Sequence, residues 1–159
     1  MASDFETQFI TAKDKPALIA FSTPEWMETT KAALVELGYK VHTAATHSDF
    51  LTRFSQVRYK VVIIEELFGA NKIEENQTLQ ALQAMPMNQR RHATVILVGA
   101  SFQTFTPMEA FKLSVNAVIS SSEMFLLKQL LEKAVADNDV FLQSFRDVQA
   151  RIYSGGGHK

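Results

Sequence analysis

The sequence has no cysteine among its 159 residues. That removes disulfides, a thiolate nucleophile and every cysteine metal site from consideration. It also has little net charge: 16 Lys and Arg against 17 Asp and Glu leave −1 at pH 7, with an isoelectric point near 6.4. A chain this balanced has no bulk field with which to hold nucleic acid or an anionic membrane. The one basic cluster, Arg90-Arg91-His92, is short and reads as a solvated loop. Long apolar runs are missing as well, and nothing approaches the roughly 20 residues that cross a bilayer. The opening MASDFETQF carries acids where a signal peptide would be basic and then apolar, so a cytosolic (cytoplasmic) protein is expected. His42, His47, His92 and His158 lack the spacing of ligands on one helix face, and no metal site is expected from them. The hydroxyls of Ser120-Ser121-Ser122 have no general base near them in sequence, which leaves nucleophilic catalysis without support. No cofactor and no enzymatic activity are expected.

What is present is core-forming material. Apolar residues make up 47% of the chain and include 12 Phe, enough for one domain at this length. Five short runs are apolar at nearly every position: Ala17 to Phe21, the weaker Val41 to Ala45, Val61 to Ile64, Thr94 to Val98, and Ala117 to Ile119. Such runs suit a parallel sheet covered on both faces. Helix signals fill the gaps. Thr23-Pro24 predicts an N-cap followed by proline at the first helical position, and Gly38 a stop. His47-Ser48-Asp49 opens a second helix. Leu79, Leu82 and Met85 mark a third, closed by Pro86. Thr106 to Glu109 reads as a capping box, and Ser122-Glu123 opens the last and longest helix.

The order is βα repeated five times. It predicts an α/β fold, a (βα)5 doubly wound, parallel five-stranded sheet in a three-layer α/β/α sandwich with right-handed crossovers. No internal repeat is visible. The expected organisation is an N-terminal tail over 1–15, the α/β domain over 16–136, a helical extension over 137–153 and a glycine-rich flexible tail over 154–159. In such sheets the cleft lies at the carboxyl ends of the strands. Phe21-Ser22-Thr23, Glu65-Glu66, Gly99-Ala100-Ser101 and Ser120-Ser121-Ser122 should therefore meet there.

Roughly from Pro16 to Ala136 the chain resembles the response-regulator receiver domain, the flavodoxin-like phospho-acceptor module of two-component signalling. The resemblance is carried by the strand spacing, by ELGY (Glu36 to Tyr39), by YKVVII (Tyr59 to Ile64) and by VNAVIS (Val115 to Ser120). It implies five functional positions. An acidic pair that holds Mg²⁺ would fall on Phe21 and Ser22, and the phospho-acceptor aspartate on Glu65. The sensing hydroxyl would fall on Gly99, and the lysine on Ser121, or on Ser120 in the adjacent register. All five differ from the family pattern. Magnesium needs several oxygen ligands, and a transferred phosphoryl group needs cations to offset its charge. The resemblance therefore implies a pseudo-receiver with a degenerate phosphorylation site. The alternatives are an atypical phosphorylatable response regulator using Glu65, and a flavin- or quinone-binding relative. The flavin reading rests on a similarity of Ile19 to Thr23 to a flavodoxin phosphate loop. It is weakened by the lack of a glycine there and by Pro24 and Glu25.

One feature needs no resemblance. In the last helix Met124, Leu127, Leu131, Ala134, Asn138, Phe141, Phe145, Val148 and Ile152 recur in steps of three and four, a heptad-like seam. Past Ala136 this stripe has no sheet left to cover. Asn138, Phe141, Phe145, Val148 and Ile152 are thus expected at an interface with another protein or with a second copy of the chain. In a homodimer Asn138 would fix register. The competing expectation is that Asp137-Asn138-Asp139 breaks the helix and the tail folds back.

Overall fold

The computed structural model describes residues 9–156. Positions 1–8 of the expected N-terminal tail, and 157–159 with His158, lie outside the described residues. The five strands are β1 (Pro16–Ala20), β2 (Lys40–Ala44), β3 (Val61–Glu65), β4 (Thr94–Gly99) and β5 (Ala117–Ser120). Between and after them come α1 (Pro24–Glu36), α2 (His47–Gln56), α3 (Gln77–Ala84), the single turn α4 (Met87–Arg90), α5 (Pro107–Leu113) and α6 (Leu127–Gly156). Short 3-10 segments occupy Ile73–Glu75 and Ser121–Leu126.

All strand pairings are parallel, in the order β2-β1-β3-β4-β5. Side chains alternate along each strand and so supply two cores. Leu18, Val62, Ile64 and Leu97 pack with Phe50 and Phe54 of α2 and with Leu79 and Leu82 of α3. Ile19, Val61, Ile63 and Ile96 pack with Leu34 of α1 and with Leu127, Leu131 and Ala134 of α6. This is the expected three-layer sandwich, and it explains why the strands lack a polar alternation. Gly38 ends α1 with φ +88, a conformation costly for any residue with a Cβ.

Four local expectations are corrected. Thr23 stands at the N-cap of α1 but makes no side-chain bond to the helix, because its hydroxyl is taken by Glu65 (below). Thr106 forms no capping box; its hydroxyl donates to the Gln103 carbonyl at 2.7 Å. The last helix begins in a 3-10 turn capped by Ser120, and its α-helical part starts at Leu127. It then runs unbroken for 30 residues to Gly156, through Asp137-Asn138-Asp139 and into the tail expected to be flexible from Ser154.

The reason it does not break is Asn138. This side chain is buried. Its amide donates to the Thr94 hydroxyl at 2.8 Å, and its oxygen accepts from the Asn116 amide at 3.1 Å. Satisfied across the fold, it does not compete for its own helix backbone. Asn138 therefore belongs to the α/β body and not to the exposed seam, and the body extends past residue 136.

Near the N-terminal end of β3, Tyr59 is fully buried, with its hydroxyl 2.6 Å from Nδ1 of His42. Burial pushes the Tyr59 phenol up to about 12; Arg53 opposes this and Asp49 adds to it. An unfolded tyrosine ionises near pH 10. The protonated phenol thus contributes stability that is fully present below pH 10 and lost as pH rises towards 12. Urea melts from pH 8 to pH 12 should show a steep alkaline loss of stability that is shallower in Tyr59→Phe. Parallel curves would remove Tyr59 as its source.

Candidate functional site

At the carboxyl ends of the strands the two glutamates after Ile64 point different ways, and both are buried. Glu65 reaches sideways to the loop after β1. Its Oε1 accepts from the backbone N–H groups of Ser22 at 3.1 Å and Thr23 at 3.0 Å, and its Oε2 accepts from the Thr23 hydroxyl at 3.1 Å. These amides lie at the entry to α1, so the carboxylate sits at the positive end of that helix and satisfies the N–H of its N-cap residue. Ser22 contributes from the other side: its hydroxyl accepts from the Gly69 N–H at 3.0 Å and draws in the loop after β3.

Glu66 reaches the other way, over the end of β4. A Cβ placed on Gly99 would lie 2.5 Å from Cβ and 2.9 Å from Cδ of Glu66. The side chain therefore occupies the room that any residue but glycine would need at position 99. Its Oε1 accepts from the Ser101 N–H at 3.3 Å. Fully buried Asn76 holds the junction from below. Its amide donates to the carbonyls of Glu65 and Glu66, each at 3.1 Å, while its oxygen caps α3 by accepting from the Leu79 N–H at 3.1 Å. Across β5, Ser120 lies opposite Gly99. Its N–H donates to the Thr104 hydroxyl at 2.8 Å and its Oγ lies 2.8 Å from that of Ser122. Ser121 has already entered the 3-10 turn.

No family model and no curated protein matches the sequence. Solved structures do. A response regulator receiver domain protein from Methanospirillum hungatei is similar with a TM-score of 0.62 at 16% identity, over 80% of this chain and 98% of its own. The chemotaxis response regulator CheY4 of Vibrio cholerae is similar with a TM-score of 0.60 at 14% identity, over 77% and 99%. A fusion carrying the trimeric coiled coil of yeast Spc42 (amino acids 181–211) is similar with a TM-score of 0.60 at 20% identity, over 91% and 92%. The fold is the receiver fold.

Within that fold, the expected site residues do gather at the strand ends, with different duties from those the resemblance assigns. Phe21 is part of the core on the α1 and α6 side. Ser22 supplies an N–H to Glu65 and a hydroxyl to Gly69, and neither position brings an acid. Both oxygens of Glu65 are occupied by donors, which is the environment of a carboxylate cap and not of a metal ligand. Among the described residues no group of three or more His, Cys, Asp or Glu is placed to hold a metal ion. The residues present do not fit the magnesium of a working receiver. No lysine stands at Ser120 or Ser121.

Sequence reading placed Thr23 and Glu66 at the strand ends but gave a role only to Glu65 in the site, and it did not name Asn76. The available signal was the conjunction of a second glutamate with a glycine at the end of the neighbouring strand. Asn76 carried no signal beyond that of an ordinary N-cap.

The distal half of α6 is the other candidate. Phe141, Val148 and Ile152 are 66%, 53% and 68% exposed, while Leu131 on the same stripe is fully buried. Phe145 is partly covered by the Arg91 guanidinium, 4.7 Å from its ring centre. A pocket of about 480 Å³ lies between α5 and α6 and one of about 490 Å³ between the α4 turn and α6, both touching Phe111, Asn138 and Phe141. No helix among the described residues is long and apolar enough to cross a membrane.

Proposed function

We propose that the protein is a non-catalytic signalling module, a pseudo-receiver in which phosphotransfer has been lost and output is made by protein–protein contact through the distal half of α6. One observation carries the first part of this reading. The Glu65 carboxylate, at the acceptor position, is consumed as the cap of α1, with neither metal ligands nor a lysine beside it. Phosphorylating it would disturb the three hydrogen bonds that a buried carboxylate accepts and install a dianion with no cation to receive it. Incubation with acetyl phosphate and Mg²⁺ should therefore give no stoichiometric gain of about 80 Da in intact mass. A Mg²⁺-dependent adduct on Glu65 would restore the reading as an atypical phosphorylatable response regulator. A yellow protein as purified would instead favour a flavin carrier.

The second part rests on the exposed stripe. Full burial of a large apolar side chain is worth about 1.5–3 kcal/mol, and Phe141, Phe145, Val148 and Ile152 continue in phase a stripe whose first half is core. Of the three similar structures above, the fusion that carries a trimeric coiled coil is alike over 91% of this chain. The partner is a second copy of the chain or another protein presenting an apolar helix.

Light scattering on the full chain and on a version ending at Val140 distinguishes these. The shorter chain keeps Asn138, without which Thr94 and Asn116 would lose their partner. Association of the full chain alone, abolished by Phe141→Asp, is the expected result. If both chains are monomeric, self-association is dismissed and docking on another protein stands.

A further inference from the structure

At the opposite end of the sheet from Glu65, three arginines converge on one pocket of about 250 Å³. Arg58 precedes β3, Arg91 follows α4, and Arg146 comes from α6. No carboxylate lines the pocket, and the ion pairs found among the described residues involve none of the three. The acid next to Arg146, Asp147, accepts instead from the Gln143 amide at 3.0 Å. Arg91 lies over Phe145, which orients its guanidinium without neutralising it. His92 lines the same pocket. Both of its ring nitrogens are buried and neither has a hydrogen-bond partner.

Like charges held around a small cavity repel one another unless a counter-ion joins them. The guanidinium fork matches the oxygens of a phosphoryl group, to which it can donate in parallel pairs. Leu142 and Phe145 give the pocket an apolar wall, suited to a short carbon chain next to the anion. We propose that this pocket binds a phosphate dianion or a small phosphomonoester, held by Arg58, Arg91 and Arg146, with His92 in its wall. The ligand bridges the body of the domain, through Arg58 and Arg91, to the projecting part of α6, through Arg146. It has no connection with phosphotransfer at Glu65.

Calorimetric titration and thermal unfolding with inorganic phosphate and with O-phosphoserine, each against sodium chloride at matched ionic strength, test the site. Saturable binding at one site and a concentration-dependent rise in Tm are expected. Arg58→Gln and Arg146→Gln should each weaken binding about tenfold or more. Arg151→Gln, further along the same helix, should not. All four arginines named here are exposed, so these variants should fold.

His92 supplies an independent readout. Burial first, and then Arg58, hold its pKa below the ordinary value; a bound dianion favours the imidazolium, so its titration followed by NMR should move upward. Tighter binding of the ester assigns a phosphomonoester, and equal or tighter binding of inorganic phosphate assigns the free anion. Absence of saturable binding of either up to about 10 mM, or an equal loss in Arg151→Gln, would overturn the site.

Discussion

Replacing Glu65 with alanine should lower stability by about 3 kcal/mol, although glutamate here stands where the family's acceptor would be and is expected to have no acceptor function. The carboxylate is buried and takes three hydrogen bonds from the Ser22 and Thr23 amides and the Thr23 hydroxyl. Hydrogen bonds to a charged group contribute more than neutral ones, and the positive end of α1 adds a favourable interaction with the charge. Removal leaves the N–H groups of Ser22 and Thr23, at the entry to α1, without their side-chain partner. At this chain length a loss of that size corresponds to a fall in Tm of roughly 6–12 °C.

Glu65→Gln keeps the shape but turns one oxygen into a donor, so it should fall between wild type and alanine. Glu65→Asp restores the family's residue type but is a methylene short of the same amides, and it too should be less stable than wild type. Thermal unfolding by circular dichroism measures all three. An alanine variant within ~0.5 kcal/mol of wild type would show that the carboxylate is not the cap of α1.

Gly99→Thr should be comparably damaging, by about 3 kcal/mol, at the upper end of what overpacking a filled space costs. A threonine or serine is what the resemblance would place here, and the backbone has no positive φ to forbid it. Threonine also favours a strand end, which works slightly against the loss. The obstacle is Glu66, whose Cβ lies 2.5 Å from where the new Cβ would stand. Neither atom is the free end of a flexible chain.

The prediction is sharpened by its rescue. Glu66→Ala alone gives up the bond from the Ser101 N–H and should destabilise modestly. Combined with Gly99→Thr, it should recover at least half of the loss, a coupling of more than ~1 kcal/mol between neighbours. Additive losses would mean that Glu66 and Gly99 are not exchanging the same space. Urea denaturation of the two single variants and the double variant decides it.

These two residues also mark where the sequence stops being readable. The sheet was legible because the central residues of β1, β3 and β4 are apolar without alternation, a pattern suited to strands covered on both faces. The end of α1 was legible because Gly38 does locally what its residue type does best. The start of α1 was not. Thr23 has the right side chain in the right place for a cap, yet its hydroxyl is recruited by a carboxylate 42 residues away, and no local rule contains that competition. Thr106 fails for the same reason on a smaller scale, losing its hydroxyl to Gln103.

Asn138 is a subtler case. Its heptad position is real, but a helical stripe that covers a sheet and one that leaves it have the same period, so phase alone cannot say where the sheet ends. Arg90 was read as solvated because arginine usually is. It is buried and donates to the carbonyls of Leu82 and Ser114, fastening α3 to the end of α5. Its neighbours Arg91 and His92 go elsewhere, so three consecutive residues that look alike in sequence serve two different places.

The unbroken helix has a mechanical consequence. Its first third is cemented into the core by Leu127, Leu131, Ala134 and Asn138, and the rest is a stiff rod that meets the domain again at its edge, where Phe145 lies under Arg91 and Arg146 shares a pocket with Arg58. From Asn138 to Gly156 the rod is about 27 Å long at the rise of an α-helix. A tilt of about 10° at the root, an adjustment of a few side chains against the sheet, would sweep its tip through about 5 Å over that length. A protein gripping Val148 and Ile152 would sense small shifts in packing near Thr94 and Asn116 as a change of position, amplified by leverage alone.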